Sequence, residues 1–135
     1  MNPVRFVNTF IATGLTMCAL DFVWVGYVAK GFYARQLGDL LRPEARWIPI
    51  ALFYVLYISA VVVFVVKPAA GRKSFRRAIG LGAFFGLVAY ATYDLTSLAL
   101  IRDFPLTAAI VDLAWGMTVT TVASGVGYLD RKSVV

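Results

Sequence analysis

The sequence predicts an all-α fold, a four-helix transmembrane bundle with both termini on the cytoplasmic side, and three observations carry that reading. The chain is 61% hydrophobic and 15% charged, with a mean hydropathy of +0.79, too apolar for a domain that keeps its surface in water. Four apolar runs, residues 4–29, 47–66, 75–101 and 105–128, each reach or exceed the ~20 residues that a bilayer requires. The basic residues collect at the ends of those runs, where they speak to topology. All 135 residues then form a single integral membrane domain.

Residues 4–29 outlast the ~7 to 15 apolar residues of a cleaved signal peptide, so the first run reads as a span. The segment LTMC at 15–18 puts Met17 where a lipoprotein cleavage box wants a small residue, which leaves Cys18 as a small buried apolar side chain. Residues 30–46 hold Gly31, Gly38, Pro43 and mixed charges, and their 32–37 portion suits a short interfacial helix. There Phe32 and Tyr33 read as an interfacial anchor, with a lid as the competing reading. After the second run, residues 67–74 form a turn with a basic tail, whose Arg72, Lys73, Arg76 and Arg77 suit anionic lipid headgroups. The connection at 102–104 is so short that the last two runs must be an antiparallel hairpin, with Pro105 suited to the first turn of the fourth helix. Trp47, Phe104 and Tyr128 fit interfacial aromatic belts.

Charge counting sets the orientation. Arg5, Lys67, Arg72, Lys73, Arg76, Arg77, Arg131 and Lys132 fall on the side of the termini, and Lys30, Arg35, Arg42, Arg46 and Arg102 on the other. The larger group marks the cytoplasm.

Inside the third run, YATYDLTSLA at 90–99 places a carboxylate, phenols and hydroxyls in hydrocarbon. At ~100° per residue Tyr90, Tyr93, Asp94 and Ser97 share one sector, while Leu81, Phe84, Phe85, Val88 and Leu95 cover the other side. Asp21 and Asp112 lie at a similar depth from the ends of their own runs. At ~1.5 Å per residue all three acids sit roughly 10 to 12 Å below the outer interface, level with Tyr54 and one turn above Tyr57. Thr13, Gly14, Met17, Trp24 and Val28 share the Asp21 face; Ala108, Trp115, Gly116, Val119 and Ala123 share that of Asp112. Gly82 and Gly86 give the third helix a spacing of small residues that lets backbones approach. The i, i+3 pairs Asp21/Trp24 and Asp112/Trp115 set an indole near each carboxylate.

LDFVWVG at 20–26, FY at 32–33, QLG at 36–38, LFYVLY at 52–57, GLVAYATYDLT at 86–96 and IVDLAWG at 110–116 together resemble the domain of unknown function 2177 family of small bacterial inner-membrane proteins. Ser97 stands where that family's pattern favours Asn, and Phe104-Pro105 where it favours Trp-Pro. The resemblance implies a four-helix membrane protein and supplies no activity.

Function therefore rests on the acids. A charged carboxylate at the bilayer centre costs ~2.5 to 3.5 kcal/mol, so three in one layer must pair, protonate or face water. One reading makes them interhelical glue, accepting from Tyr54, Tyr57, Tyr93, Thr96, Trp24 or Trp115, as in a non-catalytic membrane subunit. The favoured reading is an outer-half acidic and aromatic cavity that binds or transports a small cation or cationic ligand. Its candidate ligand-binding residues are Asp21, Trp24, Tyr54, Tyr57, Tyr90, Tyr93, Asp94, Ser97, Asp112 and Trp115, with Asp21, Asp94 and Asp112 as candidates for a metal ion. A lipid-modifying enzyme using the Asp cluster is the alternative, with no catalytic residue assigned. The sequence has no His and a single Cys, which excludes the usual zinc and haem sites, and no cofactor is expected. Nucleic acid is excluded as a partner, because no basic and aromatic interleaving lies outside the spans. The expected partners are the lipid bilayer and the cation, with a homo-oligomer left open.

Overall fold

The computed structural model describes residues 3–41, 44 and 46–133. Arg42, Pro43 and the Lys132 side chain, which enter the readings above, lie outside the described residues. Among the described residues there is no strand, and four helical stretches are long and apolar enough to cross a membrane: Pro3–Val28, Trp47–Gly71, Phe75–Leu100 and Leu106–Arg131. Most of their outward residues are apolar, among them Ile11, Leu15, Phe22, Phe64, Phe84 and Leu95, and the outward Thr92, Thr96 and Thr118 return their hydroxyls to carbonyls of their own helices, as expected where hydrocarbon is the solvent.

Helix α1 (Pro3–Val23) buries Thr9, Thr13, Gly14 and Met17, a stripe at helical spacing. It ends in a π turn, Trp24–Val28, in which Ala29 N–H donates to the Trp24 carbonyl at 2.6 Å. The wider turn changes the register, so Val28, expected on the Asp21 face, points outward at 66% exposure. Cys18, expected to be buried, is exposed; it lies one residue past the core-facing Met17, ~100° around the helix. A short helix, α2 (Lys30–Leu37), follows and ends at Gly38, whose φ of 51° is open to a residue without Cβ.

Helix α3 (Trp47–Val61) runs through a second π turn, Val62–Val66, into α4 (Lys67–Gly71). The turn expected from residue 67 is therefore helical as far as Gly71. Pro68 lacks an N–H and crowds the carbonyl four residues back; the π turn just before it, closed by Lys67 N–H on the Val62 carbonyl, relieves that crowding. Ser74 then caps α5 (Phe75–Leu100), its Oγ accepting from Arg77 N–H at 3.1 Å, a bond that satisfies one free donor of the first turn.

Helix α6 (Leu106–Ser133) returns beside α5 as the expected antiparallel hairpin. Pro105 sits before its first turn and accepts from Ala109 N–H at 3.2 Å. A Cβ on Gly82 would meet Ser124 Oγ at 2.6 Å, and one on Gly86 would meet the Gly116 carbonyl oxygen at 2.6 Å. The small residues thus bring the two backbones together. The core runs from Met17 through Tyr57, Ile58, Val61, Val62, Val65 and Val66 to Val119 and Ala123, with Leu81 and Phe85 packed against it. Leu81 and Phe85 were expected on the lipid side. Because α5 packs on α6 and also on the π turn Val62–Val66 and α4, its buried arc is wider than one polar sector. Tyr128, expected in an interfacial belt, is buried with Ala69 and Ala78.

Candidate functional site

At the end of the bundle that carries the connections after α1 and α5, the helices separate around a cavity of about 430 Å³. Asp21, Asp94 and Asp112 all line it, with Trp24, Tyr54, Tyr90, Tyr93 and Trp115. Three acids from three helices thus reach one space, and each is treated differently.

Asp21, in the last turn of α1, is fully engaged. Tyr54 of α3 donates to its Oδ2 at 2.6 Å and Trp115 of α6 donates to its Oδ1 at 2.8 Å. One carboxylate ties three helices. Asp112 accepts on Oδ1 from the Tyr33 hydroxyl at 3.1 Å, and that hydroxyl accepts from Trp24 Nε1 at 3.2 Å. The indoles do not serve the carboxylates on their own helices, as the i, i+3 spacing suggested. They stack face to face at 4.6 Å and 6°, and each N–H crosses to a partner on another element. Asp94 is the exception. It is 1% exposed, no hydroxyl, amide or base reaches its oxygens, and its close polar neighbour is the Asp112 carboxyl, near enough for the two acids to share a proton.

The remaining residues named from the sequence divide. Tyr90 lays its ring over Gly116, where a Cβ would collide with it, and meets the Tyr57 ring edge-on at 6.0 Å. Tyr93 sits at the rim, 55% exposed, its ring against Phe104 at 6.0 Å. Tyr57 lies below the cavity in the core, its hydroxyl paired with Thr120 at 2.8 Å. Ser97 is buried in α5 but is not on the cavity wall. Thr96 bonds to the backbone carbonyls of Thr92 and Tyr93 on its own helix, so it does not serve the acids.

Of the roof, the sequence offered only Phe32 and Tyr33, as the lid reading set second to an interfacial anchor. Lys30, Tyr33, Leu37 and Leu41 from the connection after α1 line the cavity, as do Phe53 and Phe104. Lys30 stands at the start of α2, and the backbone fold at Ala29 turns that helix back over the opening. Tyr33 is therefore a structural part of the site as well as an interfacial aromatic. Its phenol, outside the spans, is pushed up to about 12, chiefly by burial, with the Asp112 charge adding and the Trp24 bond opposing. It stays a hydrogen-bond donor at neutral pH. Phe104, expected in a belt, is a wall residue.

The three acids do not make a ready metal centre. Among the described residues no group of three His, Cys, Asp or Glu is arranged to hold an ion, because Asp21 is turned to Tyr54 and Trp115 while Asp94 and Asp112 face each other without a third donor. What the arrangement offers is a buried acid set against a second acid, without a base, at the wall of an aromatic chamber large enough for a small organic molecule.

A family model described as a predicted membrane protein, DUF2177, matches residues 6–129. No curated protein and no solved structure matches the chain.

Proposed function

The chain belongs to the DUF2177 family of predicted membrane proteins, and from that premise we propose that it binds a small organic cation in its acidic and aromatic cavity, as a carrier or receptor of that cation. The observation that carries this reading is Asp94. A buried carboxylate whose neighbour is a second acid is expensive in a protein interior, and a cationic ligand in the cavity supplies the missing counter-charge. Aromatic rings attract the same ligand, since a cation within ~6 Å of a ring face is stabilised by its quadrupole. The cavity's 430 Å³ suits an alkylammonium or a compact aromatic amine better than a bare metal ion. Asp21, already paired, has the structural role that the glue reading gave to all three acids.

We place the cavity in the outer half of a bacterial inner membrane with both termini cytoplasmic. The support is the excess of Lys and Arg at residues 67–77 and the rule that basic connections stay inside.

The test is a titration of the protein in lipid nanodiscs with tetramethylammonium, read by tryptophan fluorescence, since Trp24 and Trp115 line the cavity. A saturable change is expected, weakened about thirtyfold in Asp94→Asn by loss of a desolvated charge contact. Affinity should fall as the pH falls, because protonating the carboxylate removes the charge that holds the cation. A titration identical in wild type and Asp94→Asn would remove the reading.

A further inference from the structure

A second cavity of about 390 Å³ adjoins the first, walled by Phe53, Tyr57, Ala89, Tyr90, Tyr93 and Asp112. Phe53, Tyr90, Tyr93 and Asp112 line both spaces, so the two are continuous at the acid layer. The second lies between α3 and α5. Those helices come together at the π turn Val62–Val66 and part toward the acid layer, where the rings of Tyr57, Phe85 and Tyr90 bridge them. Phe53 and Tyr93, 42% and 55% exposed, stand at the margins of this gap on the side that meets acyl chains.

We propose that this gap is a lateral window and that the ligand is a single-chain cationic amphiphile, its ammonium head beside Asp94 and Asp112 and its alkyl chain passing between α3 and α5 into the bilayer. The proposal rests on the cation reading above. An apolar opening to hydrocarbon attracts neither water nor ions, whereas the space behind it carries a buried acid. Only a molecule with both characters satisfies both. The chain gains little by entering the window, because lipid tails are as apolar as the wall, so the head decides occupancy and the window decides the route.

The experiment uses the full chain in nanodiscs and a dodecyltrimethylammonium probe carrying a diazirine at mid-chain. After photolysis, adducts are expected at Phe53, Tyr57, Ala89 or Tyr93. Excess tetramethylammonium and Asp94→Asn should each reduce them about thirtyfold, as for the head contact alone. Ala89→Leu, which narrows the window, should reduce adducts severalfold while tetramethylammonium still binds, which also shows that the variant is folded. Should Ala89→Leu fail to fold, Phe53→Ala removes one wall and shifts the adducts toward the opposite helix. Adducts at Leu37 and Leu41 would mean entry from water and overturn the window while leaving the cation site. So would equal labelling of the outward Phe22, Phe64 and Phe84, or equal window labelling by an uncharged dodecanol analogue. Loss of tetramethylammonium binding itself, with the wild-type chain folded, would overturn the cation reading along with it.

Discussion

The two ends of the bundle are built from the same four helices and differ in what stands between them. At the end around the turn before α5, Val61, Val62, Val66, Ala69 and Ala78 are completely buried, and Gly82 and Gly86 press α5 onto α6. At the other end Tyr90 inserts over Gly116, and beyond that ring the helices enclose a void with three carboxylates. Without a hydrophobic drive between helices in lipid, close packing of small residues holds the first end together. The second end is held by directional bonds through Asp21 and Asp112. Substitutions should therefore fail differently at the two ends, by overpacking at one and by lost chemistry at the other.

The largest expected effect is at the packed end. In Gly86→Leu the new Cβ would lie 2.6 Å from the Gly116 carbonyl oxygen, a backbone atom that cannot swing away. Separating the hairpin should cost about 3 kcal/mol or more, measured by thermal or denaturant unfolding in detergent. Gly26→Leu, at a glycine with nothing within 4 Å of its Cβ, is the matched control. Equal stability of the two variants would break the distinction between the ends.

The acids sharpen it. Asp94→Asn should weaken cation binding about thirtyfold with no loss of stability, since the amide keeps the shape of the carboxyl, can donate to Asp112 and cannot carry a buried charge. Asp21→Asn should do the reverse. Its amide can accept one of the two bonds that the carboxylate accepts from Tyr54 and Trp115, and the lost bond should cost roughly 0.6 to 1.7 kcal/mol in a membrane setting. Comparing unfolding and tetramethylammonium titrations of both variants separates the acid that builds from the acid that binds.

The chain disclosed most of this at the level of faces. A 3.6-residue period was enough to set Thr13, Met17 and Asp21 on one stripe and Ala108, Asp112 and Trp115 on another, because those stretches are regular α-helix. It failed at Val28, where the π turn after Val23 inserts a residue that no periodicity predicts. At Phe85 it failed because burial depends on how many neighbours a helix has. The roof, beyond the competing lid reading at Phe32 and Tyr33, was hidden for a different reason. Tyr33 and Leu37 become wall residues only because α2 turns back over the opening, and a sequence read one helix at a time holds no information on where a short connecting helix folds. Nor did spacing show that Trp115 donates to Asp21 and Trp24 to Tyr33, which goes with their stacking across the bundle.

A smaller effect is expected at that roof. Tyr33→Phe removes the hydroxyl that joins Trp24 to Asp112, and one such bond is worth about 1 kcal/mol. Amide exchange across Lys30–Leu37 should speed up about fivefold while the core stays protected. The bond's pH dependence has a definite sign. Folding raises the phenol from 10.0 to about 12, so its contribution is whole below pH 10 and is lost as the pH rises through about 12. Roof protection should therefore be flat from pH 6 to 9 in the wild type.

The smallest expected change returns to the packed end and asks whether shape alone governs it. Ser124 Oγ is buried without a hydrogen-bond partner and lies where a Cβ on Gly82 would fall. Thr120, one turn away on the same face of α6, shares its hydroxyl with Tyr57 at 2.8 Å. Ser124→Ala removes an unsatisfied group and keeps the close approach, so stability should hold or rise by less than about 1 kcal/mol. Thr120→Val keeps the volume and breaks a made bond, which should cost about 0.6 kcal/mol. If Ser124→Ala proves the more damaging of the two, the hydroxyl at 124 has a partner in the membrane, and the packed end is held by polar bonds as the cavity end is.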